Sequence, residues 1–155
     1  MTIKTTGYYY EPNTDRRLIA HLMKYEDAAL FEAAERMAAL IDNEERAVLV
    51  PMPSHDGSAT YTRKLALLIG SKTGHLVCDC LASNERESLY QAKKEGRTLP
   101  PEDLALWLRE GYGNMAEECD VWLIDNVIAS GATYRAAAKL FKNGANLLAF
   151  AEDMQ

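Results

Sequence analysis

The residues best placed to do chemistry are an acid and an amide that end an apolar run, followed closely by a turn of small side chains. In order they read Val121-Trp122-Leu123-Ile124, Asp125-Asn126, and Ala129-Ser130-Gly131-Ala132-Thr133. Small side chains leave consecutive backbone N–H groups uncovered. Where such a turn opens a helix, those amides and the helix dipole make a cradle for an anion such as phosphate. The sequence predicts that helix from Ser130 as N-cap, the repeat Ala132, Ala136 and Leu140, polar positions at Arg135, Lys139 and Lys142, and Gly144 beyond the last turn. Its dipole is worth roughly 0.3 to 1 kcal/mol to a bound anion. The apolar run predicts a strand covered on both faces that stops at Asp125. Neither a Walker A lysine nor a GxGxxG run is present. An ordinary polar strand end followed by a tightly packed turn is the plain alternative.

A second loop has a matching position. Residues 47–50, Ala-Val-Leu-Val, predict a buried strand, and it runs into Pro51-Met52-Pro53-Ser54-His55-Asp56-Gly57-Ser58. The two prolines predict that this loop takes part in neither helix nor ladder, and Gly57 with the serines permits close approach to a ligand. His55 reads either as a surface group or as a ligand contact. Both loops leave strands at their carboxyl ends, so in a parallel sheet they face one pocket.

The elements that position these loops follow from periodicity. Residues 1–10 predict a short strand near Thr5 and Thr6, ended by Glu11-Pro12-Asn13. A helix from Thr14 and Asp15 is predicted with Leu18, Leu22 and Tyr25 inward. A stronger one over residues 27–42 has Leu30, Ala34, Met37 and Ile41 as its buried stripe. Residues 60–70 predict a helix with Tyr61, Leu65 and Leu68 inward, and residues 75–78 a strand. Residues 81–101 mix Arg86, Lys93, Lys94 and Arg97 with acids and predict a solvated loop or short hairpin. Pro100-Pro101-Glu102-Asp103 then predicts a helix with Leu104, Trp107 and Leu108 inward, broken at Gly111 and Gly113, with one further turn over residues 114–118. Residues 146–150 predict the last strand. Strands alternating with helices specify an α/β fold, a doubly wound parallel sheet flanked by helices.

Composition narrows the function. The chain has 155 residues, 48% of them hydrophobic, enough for one domain with a core. A net charge of −6 argues against nonspecific binding to nucleic acid or an anionic membrane. The three cysteines show no zinc-ligand spacing, and no signal-peptide core or membrane-length apolar run is seen. A cytoplasmic protein is expected.

The 121–133 pattern resembles the phosphoribosyl pyrophosphate (PRPP) motif of the type I phosphoribosyltransferases, which has four apolar residues, two acids, two apolar residues and a small Thr/Ser-Gly loop. The N-terminal half, with Arg17-Leu18-Ile19, Lys24-Tyr25, an alanine-rich helix to Ile41 and Val48-Leu49-Val50-Pro51-Met52-Pro53-Ser54-His55, is similar to the competence protein F (ComF)-like members. Together the likeness covers nearly the whole chain. It departs at Asn126, which stands where the second acid belongs. It departs again after His55, where the family has an Arg-Gly-Phe-Asn-Gln run and this chain has Asp56-Gly57-Ser58-Ala59-Thr60-Tyr61. The family's cysteine-rich zinc-binding segment has no counterpart in these residues.

The resemblance implies a type I phosphoribosyltransferase fold, with residues 1–45 as a small hood-like segment and residues 46–155 as core. It implies a glycosyltransferase of nucleotide metabolism that binds PRPP with Mg²⁺ and transfers ribose 5-phosphate to a nitrogenous base or amine, releasing pyrophosphate. Asp125 and Asn126 would be catalytic, and Ala129, Ser130, Gly131, Ala132 and Thr133 would hold the 5′-phosphate. Pro53, Ser54, His55, Asp56, Gly57 and Ser58 would hold the pyrophosphate, and Lys93, Lys94 and Arg97 would belong to a flexible closing loop. Mg²⁺ would arrive on PRPP, with no direct protein ligand. Asn126 keeps a hydrogen-bonding carbonyl and gains two donors, but brings no charge to a cationic sugar centre. The alternative is a noncatalytic PRPP- or nucleotide-sensing domain, or an accessory domain for DNA uptake. A homodimer is compatible with the sequence.

Overall fold

The computed structural model describes residues 2–45, 47–54, 59–84, 89–98, 106–109 and 119–153. Its sheet is built outward from two strands, β2 (Ala47–Pro51) and β6 (Asp120–Ile128), which pair in parallel from Ala47 opposite Asp120 to Pro51 opposite Ile124. All of β2 and residues 121–124 of β6 are buried, as fits strands covered on both faces. The full order is β1 (Ile3–Thr5), β7 (Asn146–Glu152), β6, β2 and β3 (Leu76–Val77), parallel throughout. From β2 the chain passes through α3 (Tyr61–Thr73) to β3 on one side. From β6 it passes through α5 (Ala132–Ala138) to β7 on the other. The connections therefore diverge between β2 and β6, opening a crevice at the carboxyl ends of these strands.

Alternating side chains of β6 serve two cores. Trp122 and Ile124 meet α1 (Arg16–Leu22), α2 (Asp27–Ile41) and α3, through Ile19, Met37, Ile41, Leu65 and Ile69. Val121 and Leu123 meet Tyr134, Ala137 and Ala138 of α5 with Phe141. The result is an α/β fold, a five-stranded parallel sheet with helices on both faces. The first 45 residues, expected as a hood, contribute an edge strand and two helices to this layered core. No helix among the described residues is long and apolar enough to cross a membrane.

The stripe predicted for α2 is buried at all four positions, and Gly74 closes α3 in a left-handed conformation, its N–H donating to the Gly70 carbonyl at 2.8 Å. Several expectations are corrected. The central strand does not stop at Asp125, because Asp125, Val127 and Ile128 continue the ladder against Ala149, Ala151 and Glu152 of β7. Pro51 ends β2 rather than starting the loop. Its missing N–H is tolerated at a strand end, and the next amide, Met52, donates to the Ile124 carbonyl at 2.9 Å.

Helix α1 faces the core with Ile19, Ala20 and then Met23; of the three residues predicted inward Leu22 packs against the core, while Leu18 is 59% and Tyr25 73% exposed. Ile19 and Met23 satisfy the same four-residue spacing as Leu18 and Leu22, so periodicity over seven residues did not choose between the faces. Helix α5 buries Tyr134, Ala137 and Ala138 rather than the predicted Ala132 and Ala136, and its N-cap is Gly131, not Ser130. The helix predicted through Trp107 and Leu108 is instead a strand there, β5 (Leu106–Leu108), antiparallel to β4 (Leu81–Ser83). Between them, α4 (Leu89–Lys94) occupies part of the expected solvated loop. Residues 55–58, 99–105 and 110–118 lie outside the described residues, and with them His55, Asp56, Gly57 and Ser58 and the glycine break.

Candidate functional site

A cavity of about 320 Å³ sits in the crevice. Met52, Pro53 and Ser54 enter it from the end of β2, residues 125–128 from the end of β6, and Ala129, Ser130, Gly131 and Thr133 from the following turn. Thr62 fixes the start of α3 beside it, its buried hydroxyl donating to the Met52 carbonyl at 2.8 Å. The structure thus brings together Asp125, Asn126, Pro53, Ser54 and four of the five turn residues. Ala132 does not line the cavity; its N–H donates to Ser130 Oγ at 3.3 Å.

Asp125 is aimed locally, its Oδ1 accepting from the backbone N–H of Asn126 at 2.8 Å. Asn126 is only 6% exposed. Its Nδ2 donates to the carbonyl of Ala20 on α1 at 3.0 Å, whereas Oδ1 is buried without a hydrogen-bond partner. Thr133 Oγ1 is in the same condition. A buried polar atom without a partner costs roughly 1 to 3 kcal/mol, and a ligand that reached both atoms would recover that cost.

Gly131 takes φ +77°, a left-handed conformation that L side chains resist. A Cβ there would stand 2.9 Å from Arg135 Nη1, so the guanidinium lies directly over the turn. Helix α5 has seven residues, and the turn's own amides therefore matter more than its short dipole.

The N-terminal segment contributes the opposite wall. It was expected to line the pocket together with Val127 and Ile128, and it does, but the roles of its individual residues were not legible in the sequence. His21, Lys24 and Tyr25 come from α1 and the residues after it, Tyr9 from beyond the first strand, and Tyr61 from the start of α3. Lys24 Nζ stands 5.7 Å from the centre of the Tyr61 ring. Burial pushes the Tyr61 phenol up, the Asp125 carboxylate adds to the shift, and the Asn126 side chain opposes it. Tyr61 therefore keeps its proton at neutral pH. The signal for this wall was only that α1 ends near Lys24, and the contact with β6 is made across the fold.

The proposed closing-loop residues do not line the cavity. Lys93 Nζ donates to the Asp153 carbonyl at 2.7 Å, and the Asp153 N–H donates to the Ile128 carbonyl at 2.8 Å, so α4 is tied to the end of β6. Arg97 pairs with Glu95 and Lys94 is exposed. Among the described residues no cluster of three or more His, Cys, Asp or Glu side chains is placed to hold a metal ion. No protein-family model matches the chain, and no curated protein matches it significantly.

Proposed function

We propose that the chain is a phosphoribosyltransferase-like protein of the type I fold, which binds PRPP with Mg²⁺ and transfers ribose 5-phosphate to a nitrogenous base or amine. One observation carries this reading: Asp125 with Ala129, Ser130, Gly131 and Thr133 of the turn lines a single cavity with Pro53 and Ser54, where the strand connections diverge. In the proposed complex Asp125 accepts hydrogen bonds from the ribose hydroxyls. The turn amides and the Thr133 hydroxyl donate to the 5′-phosphate, and the segment from Pro53 receives the pyrophosphate. The bond from the anomeric carbon to pyrophosphate oxygen breaks and a bond to nitrogen forms; pyrophosphate leaves, and the nitrogen gives up its proton. Tyr61, still protonated, is a donor and not the base.

Among the described residues Asp125 is the one carboxylate on the cavity wall, which suits an ion brought by its ligand, since Mg²⁺ commonly takes one or two carboxylates together with phosphate oxygens. Catalysis on this reading is positioning and charge stabilisation. The protein would act in nucleotide metabolism in the cytoplasm.

The Asn126 contact with Ala20 favours a second reading, in which the same site binds PRPP or a nucleotide without turnover, for sensing or as an accessory to DNA uptake. Calorimetric titration with PRPP, with and without Mg²⁺, tests the shared core of both. Mg²⁺-dependent heat that disappears in Asp125→Ala is expected. No heat and no thermal stabilisation at millimolar ligand would refute PRPP binding. Pyrophosphate release in the presence of bases and amines then separates a transferase from a sensor.

A further inference from the structure

Helix α1 is tied from several sides: Arg16 donates to the Thr6 and Tyr8 carbonyls, to the Thr6 hydroxyl and to Glu11, and two further contacts come from α2 and β6. Both Asp15 oxygens, at its N-cap, accept from Arg36 of α2 at 2.8 Å. The Ala20 carbonyl accepts from Asn126 Nδ2, at the cavity. A carbonyl accepts only from a donor, so the amide orientation is fixed, with Nδ2 toward the helix and the buried Oδ1 left without a partner. A carboxylate at this position could not make the contact.

Lys24, four residues beyond Ala20, lines both the cavity and an adjoining recess of about 420 Å³. Ser54 and Tyr61 line both as well. Arg63 and Lys64 line only the recess, Gly131 and Thr133 only the cavity. Among the described residues the cavity and the recess share Lys24, with the small-residue turn on the cavity side and Lys64 and Arg63, the latter 3.7 Å from the Asp79 carboxylate, on the recess side.

We infer that the α1 wall is part of the ligand site: Lys24 is the cation that meets the diphosphate end of the ligand, and Asn126 is the positioning residue that clamps α1 through Ala20. The assignment of ligand rests on the PRPP reading. It gives a role to the departure at Asn126: the neutral amide holds the cationic wall in place, and Lys24 offsets the arginine that the resembled family has after His55 and this chain lacks.

The test titrates the parent, Lys24→Gln, Asn126→Ala and the double variant with Mg²⁺-PRPP, ribose 5-phosphate and inorganic pyrophosphate. Lys24→Gln should weaken PRPP and pyrophosphate about tenfold and ribose 5-phosphate less than about twofold. Asn126→Ala should weaken pyrophosphate as well, and the double variant should lose less than the sum of the two, as residues acting through one another do. Unchanged pyrophosphate binding in Lys24→Gln, or additive losses in the double variant, would overturn the inference. A parent that binds pyrophosphate but not PRPP would sink the PRPP reading alone and leave the variants to decide this one. A parent that binds none of the three anions would end both. Should Asn126→Ala not fold, hydrogen exchange of the parent decides, with α1 amides expected to slow on pyrophosphate binding and unchanged exchange counting against the clamp.

Discussion

Helices α1 and α2 cover the same face of the sheet and are held there by different means. Over its 15 residues α2 buries Leu30, Ala34, Met37 and Ile41, none more than 3% exposed. Each such side chain contributes roughly 1.5 to 3 kcal/mol of burial, enough to fix the helix by its own stripe. In contrast, α1 has seven residues, and its N-cap Asp15 makes no capping hydrogen bond. A helix that short is not stable by itself. Polar contacts add to its small apolar face: Arg16 bonds Thr6, Tyr8 and Glu11, Arg36 bonds the N-cap Asp15, and Asn126, from the candidate site, bonds the Ala20 carbonyl. The self-sufficient helix is scaffold; the dependent one forms a wall of the cavity.

Truncating the scaffold helix should have the largest effect. Met37 is fully buried, so Met37→Ala should lower unfolding free energy by about 2 to 5 kcal/mol in a denaturant titration, through lost transfer energy and the cavity left behind. Affinity of the folded variant for PRPP should stay within about twofold of the parent, under 0.5 kcal/mol. A large loss of affinity would show that α2 also shapes the site, and the contrast between the helices would fail.

The same contrast governs what was legible in the sequence. Long, periodic elements such as α2 and α3 declare their faces because many positions agree. The buried runs of β2 and β7 are equally plain. Asp125 and the 129–133 turn were readable because strand, acid and small-residue turn are contiguous. What failed depended on partners distant in sequence. The extension of β6 past Asp125 is decided by pairing with β7, and β5 by pairing with β4, against a helix-opening Pro-Pro-Glu-Asp upstream. Lys24 and Tyr61 join Asp125 only through the fold. The two donors of Asn126 were legible, but not that one of them reaches a carbonyl 106 residues away.

Removing the tie from α2 to the start of α1 should have a smaller effect, one that depends on pH. The hydrogen bonds from Arg36, together with its charge, hold the Asp15 carboxyl below its ordinary range. A carboxyl depressed in the folded state binds fewer protons there than in the unfolded chain. Its contribution is therefore present above the unfolded value, roughly pH 3.9, and is lost as pH falls through the folded one. Thermal unfolding of Arg36→Gln should accordingly lie below the parent near neutrality and converge with it in acid. High salt should narrow the gap, because the pair is near the surface. The substitution also removes the pair with Glu32, so Asp15→Asn serves as the control that isolates the tie to α1. A gap constant down to strong acid would mean that Arg36 acts through packing of its stem and not through the tie to Asp15.

Leu18→Gln should have the smallest effect. Spacing alone puts Leu18 on the buried face of α1, where the substitution would cost several kcal/mol. In the structure Leu18 is 59% exposed and Ile19 is 8% exposed, so Leu18→Gln should change stability by no more than about 0.5 kcal/mol. The same change at Ile19 places an amide in the core and should cost far more. Denaturant titration of the two variants fixes the helix face. The outcome also bears on the site, because a helix turned to bury Leu18 would rotate by about 100°, one residue's step. Such a rotation would carry the Ala20 carbonyl away from Asn126, and Lys24 would lose the clamp that places it beside Tyr61.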